Sequence, residues 1–169
     1  MNPIDINKHT RYSLELIFSE ADKMANQLLK SISENANKSF LLFALYSSLF
    51  SYAFIQMVQS NFEYSIILIG STISILVLRK NLFPNVVKFS GSQPSKILVE
   101  YFDNFQDEEL EKELLATQIE NYNDSLIKNE STIEKMVNRF FNSIWCMAIS
   151  FLIFSIVLLI SSFIEGSYT

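Results

Sequence analysis

The chain has 169 residues, a formal net charge of −5, one cysteine, one histidine, three glycines and 49% hydrophobic residues. These totals would suit a single soluble domain, but the charged residues are unevenly distributed along the sequence. Glu63 is the only charged residue between positions 39 and 78, and none occurs between positions 140 and 164. This distribution indicates a membrane protein.

The residue inventory excludes several classes of protein. A single cysteine, Cys146, cannot form an intrachain disulfide, and with His9 as the only histidine the chain lacks an ordinary Cys/His zinc set. Three scattered glycines do not supply a phosphate-binding loop. Residues 81–139 contain six basic and eleven acidic residues, which disfavours binding of DNA or RNA. We therefore expect no metal, no cofactor and no catalytic residue, so the chain is not predicted to be an enzyme.

Three apolar runs are predicted to be transmembrane helices. A helix rises about 1.5 Å per residue and the hydrocarbon core is about 30 Å thick, so a span needs roughly 20 apolar residues. Residues 40–58, the shorter 64–78 and 140–164 supply these runs. Only five residues separate the first two, which predicts a hairpin. Because the first run lies behind 39 polar and charged residues, we expect insertion through the spans themselves rather than a cleavable signal.

The basic residues predict the orientation. Five precede the first span and eight lie between the second and third, whereas the hairpin loop and the C-terminal tail have none. Positively charged loops remain in the cytoplasm, so the N-terminus is predicted inside and the C-terminus outside. The predicted parts are a cytoplasmic amphipathic helix at 1–39, a transmembrane hairpin at 40–80, a cytoplasmic connector and long acidic helix at 81–139, a third span at 140–164 and an external tail at 165–169.

The N-terminal segment is predicted to be an amphipathic helix that begins after Thr10 as its N-cap. Its apolar residues recur at spacings of three and four, which is typical of one helical stripe. With five basic and five acidic residues before position 40, the segment has no positive excess for anionic lipid. We expect it to pack on another helix rather than on the membrane surface. The predicted stripe consists of Leu14, Ile17, Ala21, Met24 and Leu28.

The partner predicted for this stripe is one long helix from about residue 107 to 164. Its acidic first turn suits the positive end of the helix macrodipole. Asn129 is the one hydrogen-bonding amide in its stripe: it either meets water or the N-terminal helix, or fixes the register by pairing with its equivalent in another subunit. The segment at 97–102 is predicted to be buried, as strand or helix. The stripe follows a strict alternation of four and three: Leu115, Ile119, Tyr122, Leu126, Asn129, Ile133, Met136 and Phe140.

Small residues recur at four-residue spacing inside the first two spans. Ser47 with Ser51, and Gly70 with Ser74, permit close helix approach and hydrogen bonds between helices. One interpretation is packing within the hairpin, and the other is that the hydroxyl groups, including that of Thr72, line a pore made by several subunits. The spans have no charged group for proton or ion exchange. A chain with these spans can conduct only by assembling, and we expect a homo-oligomer in the lipid bilayer.

The order of these parts resembles the bacterial Pycsar transmembrane effectors and similar small transmembrane effectors of nucleotide-signalling antiphage defence. The resemblance covers roughly residues 30 to 164. The matching residues are Asn37-Lys38-Ser39-Phe40-Leu41-Leu42 at the start of the hairpin, Phe83-Pro84 after it, Tyr101-Phe102-Asp103, and Ile133-Glu134-Lys135-Met136 before the last span.

The resemblance implies an all-α integral protein of the bacterial inner membrane, with a cytoplasmic helical bundle or coiled-coil region joined to its three spans. It also implies that the cytoplasmic helices sense a cyclic nucleotide made during phage infection, after which the spans assemble and break the membrane barrier. Asn37, Lys38 and Lys135 are then the candidate contacts to phosphate or base. The alternative for both lysines is membrane anchoring, because each lies close to the end of a span. The alternative function is a constitutive membrane scaffold or pore subunit of another defence or stress module.

Overall fold

The computed structural model describes residues 8–83 and 105–166, with side chains up to residue 164. It contains helix α1 (Arg11–Val58), a short 3₁₀ helix (Phe62–Tyr64), helix α2 (Ser65–Leu82) and helix α3 (Asp107–Gly166). All three α-helices are long and apolar enough to cross a membrane. The segment at 97–102, and the matching residues at 84 and 101–103, lie outside the described residues.

Helix α1 begins where the sequence predicts. The Thr10 hydroxyl accepts a hydrogen bond from the Ser13 backbone N–H at 3.2 Å, which satisfies one free donor of the first turn. The helix then continues without a break through the predicted boundary between amphipathic segment and first span. No glycine or proline occurs in its 48 residues, so nothing in the sequence interrupts it.

Helix α1 ends in a Schellman motif. The Asn61 N–H bonds to the Gln56 carbonyl at 3.2 Å, and the Ser60 N–H bonds to the Met57 carbonyl at 3.1 Å. Ser60 has a φ of 73°, a left-handed conformation that a glycine usually occupies at this point. The predicted hairpin loop is therefore one tight turn followed by the 3₁₀ helix.

The chain divides into two compact units; α1 and α3 contribute to both, whereas α2 lies in the second. In the first unit, residues 11–32 of α1 pack on residues 107–133 of α3. The Tyr122 hydroxyl donates to the Asp22 carboxylate at 2.9 Å, and the Tyr122 and Phe18 rings meet edge to face at 5.3 Å. Arg11 forms an ion pair with Glu111, and both residues lie closer to the starts of their helices than Asp22 and Tyr122 do. The two segments therefore run in the same direction. This is the helix-on-helix packing that the sequence predicts.

The predicted stripe of α1 is wrong at two positions. Ile17 and Met24 are 41% and 54% exposed, whereas Phe18 contacts Tyr122 and Ala25 is buried. The predicted and the observed stripe share Leu14, Ala21 and Leu28. They differ in whether the first spacing after Leu14 is three residues or four. Apolar residues occupy both alternatives, so the periodicity by itself does not select one. The buried and half-buried residues on the observed alternation are Leu14, Phe18, Ala21, Ala25, Leu28 and Ile32.

In the second unit, residues 33–83 and 134–166 form three packed helical segments. The core consists of Tyr46 and Ala53 of α1, Ile67 and Leu78 of α2, and Met147 of α3. Large apolar side chains cover the outside of this unit. In the most apolar 18-residue stretch of α3, only 6% of the residues are buried. Serines occupy much of its interior, so the unit is apolar outside and partly polar inside.

Candidate functional site

One polar junction joins all three helices of the second unit. Asn81 of α2 is fully buried, and its Nδ2 donates to the Ser39 hydroxyl of α1 at 3.1 Å and to the Met136 carbonyl of α3 at 2.8 Å. Because the Met136 carbonyl oxygen can only accept, the NH2 group of the Asn81 side chain must face it, and this fixes the orientation of the side-chain amide. The remaining atom, Asn81 Oδ1, is buried without a hydrogen-bond partner. A buried acceptor without a partner costs about 1–3 kcal/mol.

The junction is positioned by the periodicity of α2. Its buried side follows the same alternation of four and three as the other helices, and this places Asn81 one turn beyond Leu78 on the same face. The polar amide is thus carried into the interior by the apolar residues that precede it. The buried residues on this alternation are Ile67, Ser71, Ser74, Leu78 and Asn81.

The predicted small residues divide into two groups. Gly70 faces Ser150 of α3 so closely that a Cβ at position 70 would overlap the serine side chain. Ser74 donates to the Ser143 carbonyl of α3 at 3.0 Å. These two residues therefore allow α2 to approach α3, rather than its hairpin neighbour α1, as small residues do in membrane helix pairs.

The hydroxyl groups of Ser47, Ser51 and Thr72 bond to their own helices. They donate to the carbonyls of Phe43, Ser47 and Leu68 respectively, at 2.7–3.0 Å. Ser51 is exposed, and Ser47 and Thr72 are half-buried. Within one chain the structure does not bring the four predicted pore-lining hydroxyls, at residues 47, 51, 72 and 74, onto one surface. A pore lined by them remains a prediction about an assembly.

The three predicted ligand contacts are exposed and lie beside the junction. Lys38 directly precedes Ser39, and Lys135 directly precedes Met136, so both lysines are about 1.5 Å along the helix axis from a junction residue. Asn37, which directly precedes Lys38, is exposed as well. Three more cations lie within three residues of the junction. We call the five the cationic collar: Lys38, Arg79, Lys80, Lys135 and Arg139.

Asn129 lies in the first unit and is 1% exposed. The side chain is covered within one chain and has an interaction partner there. A contact with the same residue of a second subunit would require this packing to open. The role of Asn129 in setting the register of an oligomer stays a prediction.

Ion pairs organise the acidic start of α3. The hydrogen bond from Lys112, 2.9 Å from Glu108, and the charge of Lys112 lower the pKa of Glu108. The hydrogen bond to Glu15, followed by the charge of Glu111, raises the pKa of Arg11. No group of three metal-ligating side chains occurs among the described residues. Glu108 and Glu111 instead form ion pairs with Lys112 and Arg11.

The sequence reasoning missed Asn81, Ser39 and Ser143. Ser39 is seven residues from both Ile32 and Tyr46, and this continuation of the seven-residue repeat into the first apolar run is the signal that identifies it. Asn81 follows Arg79 and Lys80 and is the first residue of the predicted connector, although it continues the alternation of α2. No local pattern predicts that the amide reaches two other helices.

Comparison with protein-family models, with curated proteins and with solved structures finds no match to this chain. Any functional interpretation therefore depends on the residues of the chain itself.

Proposed function

We propose that the second unit crosses the bacterial inner membrane with three helices and that the protein is a membrane effector without enzymatic activity. One observation carries this proposal: the unit has an apolar exterior and a partly polar interior, the reverse of a soluble protein. Hydroxyl groups and close helix contacts inside such a unit suit association in lipid, where apolar surface supplies no driving force between helices.

The distribution of basic residues supports a cytoplasmic N-terminus and an external C-terminus. The loop at 59–63 and the tail at 165–169 lack lysine and arginine, and all thirteen basic residues lie on the other side of the spans. Alkaline phosphatase, which is active only outside the cytoplasm, tests this. We expect activity when it is fused after residue 169 or within 59–63, and none when it is fused before residue 1. Release of the full chain from membranes by carbonate without detergent would refute insertion.

The effector function rests on the resemblance and on the position of its candidate residues. Asn37, Lys38 and Lys135 are exposed, and the two lysines directly precede the junction residues of α1 and α3. A phosphate group held by these lysines would act next to the contacts that join the three helices. We propose that a 3′,5′-cyclic nucleotide bound there changes the helix packing, after which chains assemble and permeabilise the membrane.

Dye release from liposomes tests the effector proposal. The full chain is reconstituted, and 3′,5′-cyclic nucleotides of the four common bases are added one at a time. We expect one of them to cause release, and the variant K38Q/K135Q to lose it. The matched control K30Q/K128Q removes two exposed lysines of the first unit and should retain release. Release by no nucleotide, with no nucleotide bound, would contradict the proposal.

The alternative is a constitutive scaffold or pore subunit of another defence or stress module. The observation that favours it is the hydrogen bonding of Ser47, Ser51, Thr72 and Ser74, whose hydroxyl groups all donate to carbonyls of the same chain and need no ligand to be satisfied. This alternative predicts the same homo-oligomer with and without nucleotide. Cross-linking in native membranes distinguishes the two, because the effector should change its subunit number when the nucleotide is added.

A further inference from the structure

The cationic collar concentrates positive charge in an acidic chain. Within four residues of the three junction residues the sequence has five cations and one carboxylate, Glu134, although the net charge of the whole chain is −5. Every helix contributes: Lys38 comes from α1, Arg79 and Lys80 from α2, and the remaining two cations from α3. The collar thus surrounds the level at which Asn81 joins the helices.

Among the described residues, no carboxylate forms an ion pair with a collar cation. Arg79 and Lys80 are exposed, as are both collar lysines of the other helices, and Arg139 is half-exposed. The ion pairs of Arg11, Lys23 and Lys112 all lie in the first unit. The collar therefore has charge available for an anionic partner outside the chain.

Large apolar side chains are exposed directly beside the collar, toward the middle of the predicted spans. Phe40 is 61% exposed and Trp145 is 65% exposed, and Leu41 and Phe141 are similarly uncovered. A phosphate group on the collar would have these side chains alongside whatever is attached to it. A phospholipid uses both features, because its phosphate meets cations while its acyl chains cover apolar surface. A free phosphate makes no use of the apolar part, and a nucleotide offers it one base where a phospholipid offers two acyl chains that run along the helices.

We propose that the collar binds the headgroups of anionic phospholipids and that these lipids hold the three helices together at the junction. The inference goes beyond the proposed effector activity but rests on the proposed insertion of the second unit into a membrane. A lipid phosphate shared by cations of two helices opposes their separation, next to a junction whose Asn81 Oδ1 lacks a hydrogen bond.

Thermal unfolding of the full chain in dodecyl maltoside tests this, with phosphatidylglycerol or phosphatidylcholine added. We expect phosphatidylglycerol to raise the unfolding temperature and phosphatidylcholine to leave it unchanged. A basic residue at an anionic surface contributes roughly fivefold in affinity. The variant R79Q/K80Q should therefore need about 25-fold more phosphatidylglycerol for half of the effect. Arg79 and Lys80 are not among the proposed nucleotide contacts, so this variant leaves those intact. The matched control K30Q/K128Q should behave as the unaltered chain does.

Three results would overturn the inference. The first is an equal rise in unfolding temperature with the two lipids. The second is an equal increase, in R79Q/K80Q and K30Q/K128Q, in the phosphatidylglycerol needed for half of the effect, which would reflect net charge alone. The third is stabilisation by inorganic phosphate or a 3′,5′-cyclic nucleotide but not by phosphatidylglycerol, which would assign the collar to a free phosphate. Failure of the membrane proposal is seen separately, since the chain would then dissolve without detergent.

Discussion

Asn81 offers the sharpest test of how the three helices are held together. Replacing it with leucine keeps the branching of the side chain while removing two hydrogen bonds, to Ser39 and to the Met136 carbonyl. Each hydrogen bond contributes about 0.5–1.5 kcal/mol net. The same substitution also removes the unpartnered Oδ1, whose burial costs about 1–3 kcal/mol. The opposing effects are of similar size, so we expect the free energy of unfolding of N81L to lie within about 1 kcal/mol of that of the unaltered chain.

Aspartate at the same position gives the contrasting result. N81D loses both donors and places a carboxylate opposite the Met136 carbonyl in a fully buried position. A buried charge without a partner destabilises by about 3–5 kcal/mol, or the carboxyl group takes up a proton instead. We expect N81D to be strongly destabilised at pH 7 and to recover partly at low pH.

Unfolding of the full chain in mixed micelles by increasing fractions of sodium dodecyl sulfate, followed by circular dichroism, measures both variants. Asn138 is exposed on α3, and N138L controls for the added apolar surface. A loss of more than about 2 kcal/mol in N81L would exceed what the hydrogen bonds supply after the Oδ1 penalty is removed. That result would mean that Oδ1 is hydrogen-bonded in the folded protein, and the reasoning would be wrong.

Four further predictions follow from local contacts. Gly70→Ala should destabilise the second unit by about 1–3 kcal/mol in the same micelle assay, because its Cβ overlaps the facing serine of α3; rescue should come from changing that serine to glycine, and no rescue would place the strain elsewhere. Ser60→Gly should stabilise by about 1 kcal/mol, since φ is 73°; a loss of stability would argue against the left-handed turn. Phe18→Ala should cost about 1–3 kcal/mol and Ile17→Ala under about 1 kcal/mol, and the reverse order would restore the predicted stripe. The pKa of Glu108 is lowered by its lysine partner, so its stabilising effect is complete above the ordinary glutamate pKa and is lost as the pH falls through the lowered value; an NMR titration midpoint at or above about 4.3 would contradict this.

The sequence predicted the helices well because their signals are strong and local. The spacing of apolar residues, the Thr10 cap and the uncharged runs each depend on residues within a few turns of one another. The start of α3 at Asp107 follows from such signals too. The sequence was ambiguous where two alternatives were equally apolar, as at Ile17 against Phe18, because periodicity fixes a stripe only to within one residue.

The candidate site depended on contacts between residues far apart in the chain. Gly70 and Ser74 were predicted to mediate close packing, but only the tertiary structure shows that they face α3. Asn81 has an unremarkable position in the sequence, and its importance comes from reaching helices 42 and 55 residues away along the chain. The site is defined by the relative position of three helices, and no single segment of the sequence contains that information.

By itself the sequence determined that this protein has three long apolar helices, that basic residues are absent from the loop at 59–63 and from the C-terminal tail, and that an acidic segment precedes the last apolar run. These properties follow from composition within single segments. The tertiary structure decided which face of each helix is buried, that Asn129 is covered within one chain, and that Ser39, Asn81 and Met136 meet. The physical reason is that hydrophobic periodicity limits how helices pack, whereas a hydrogen bond between helices requires one particular register.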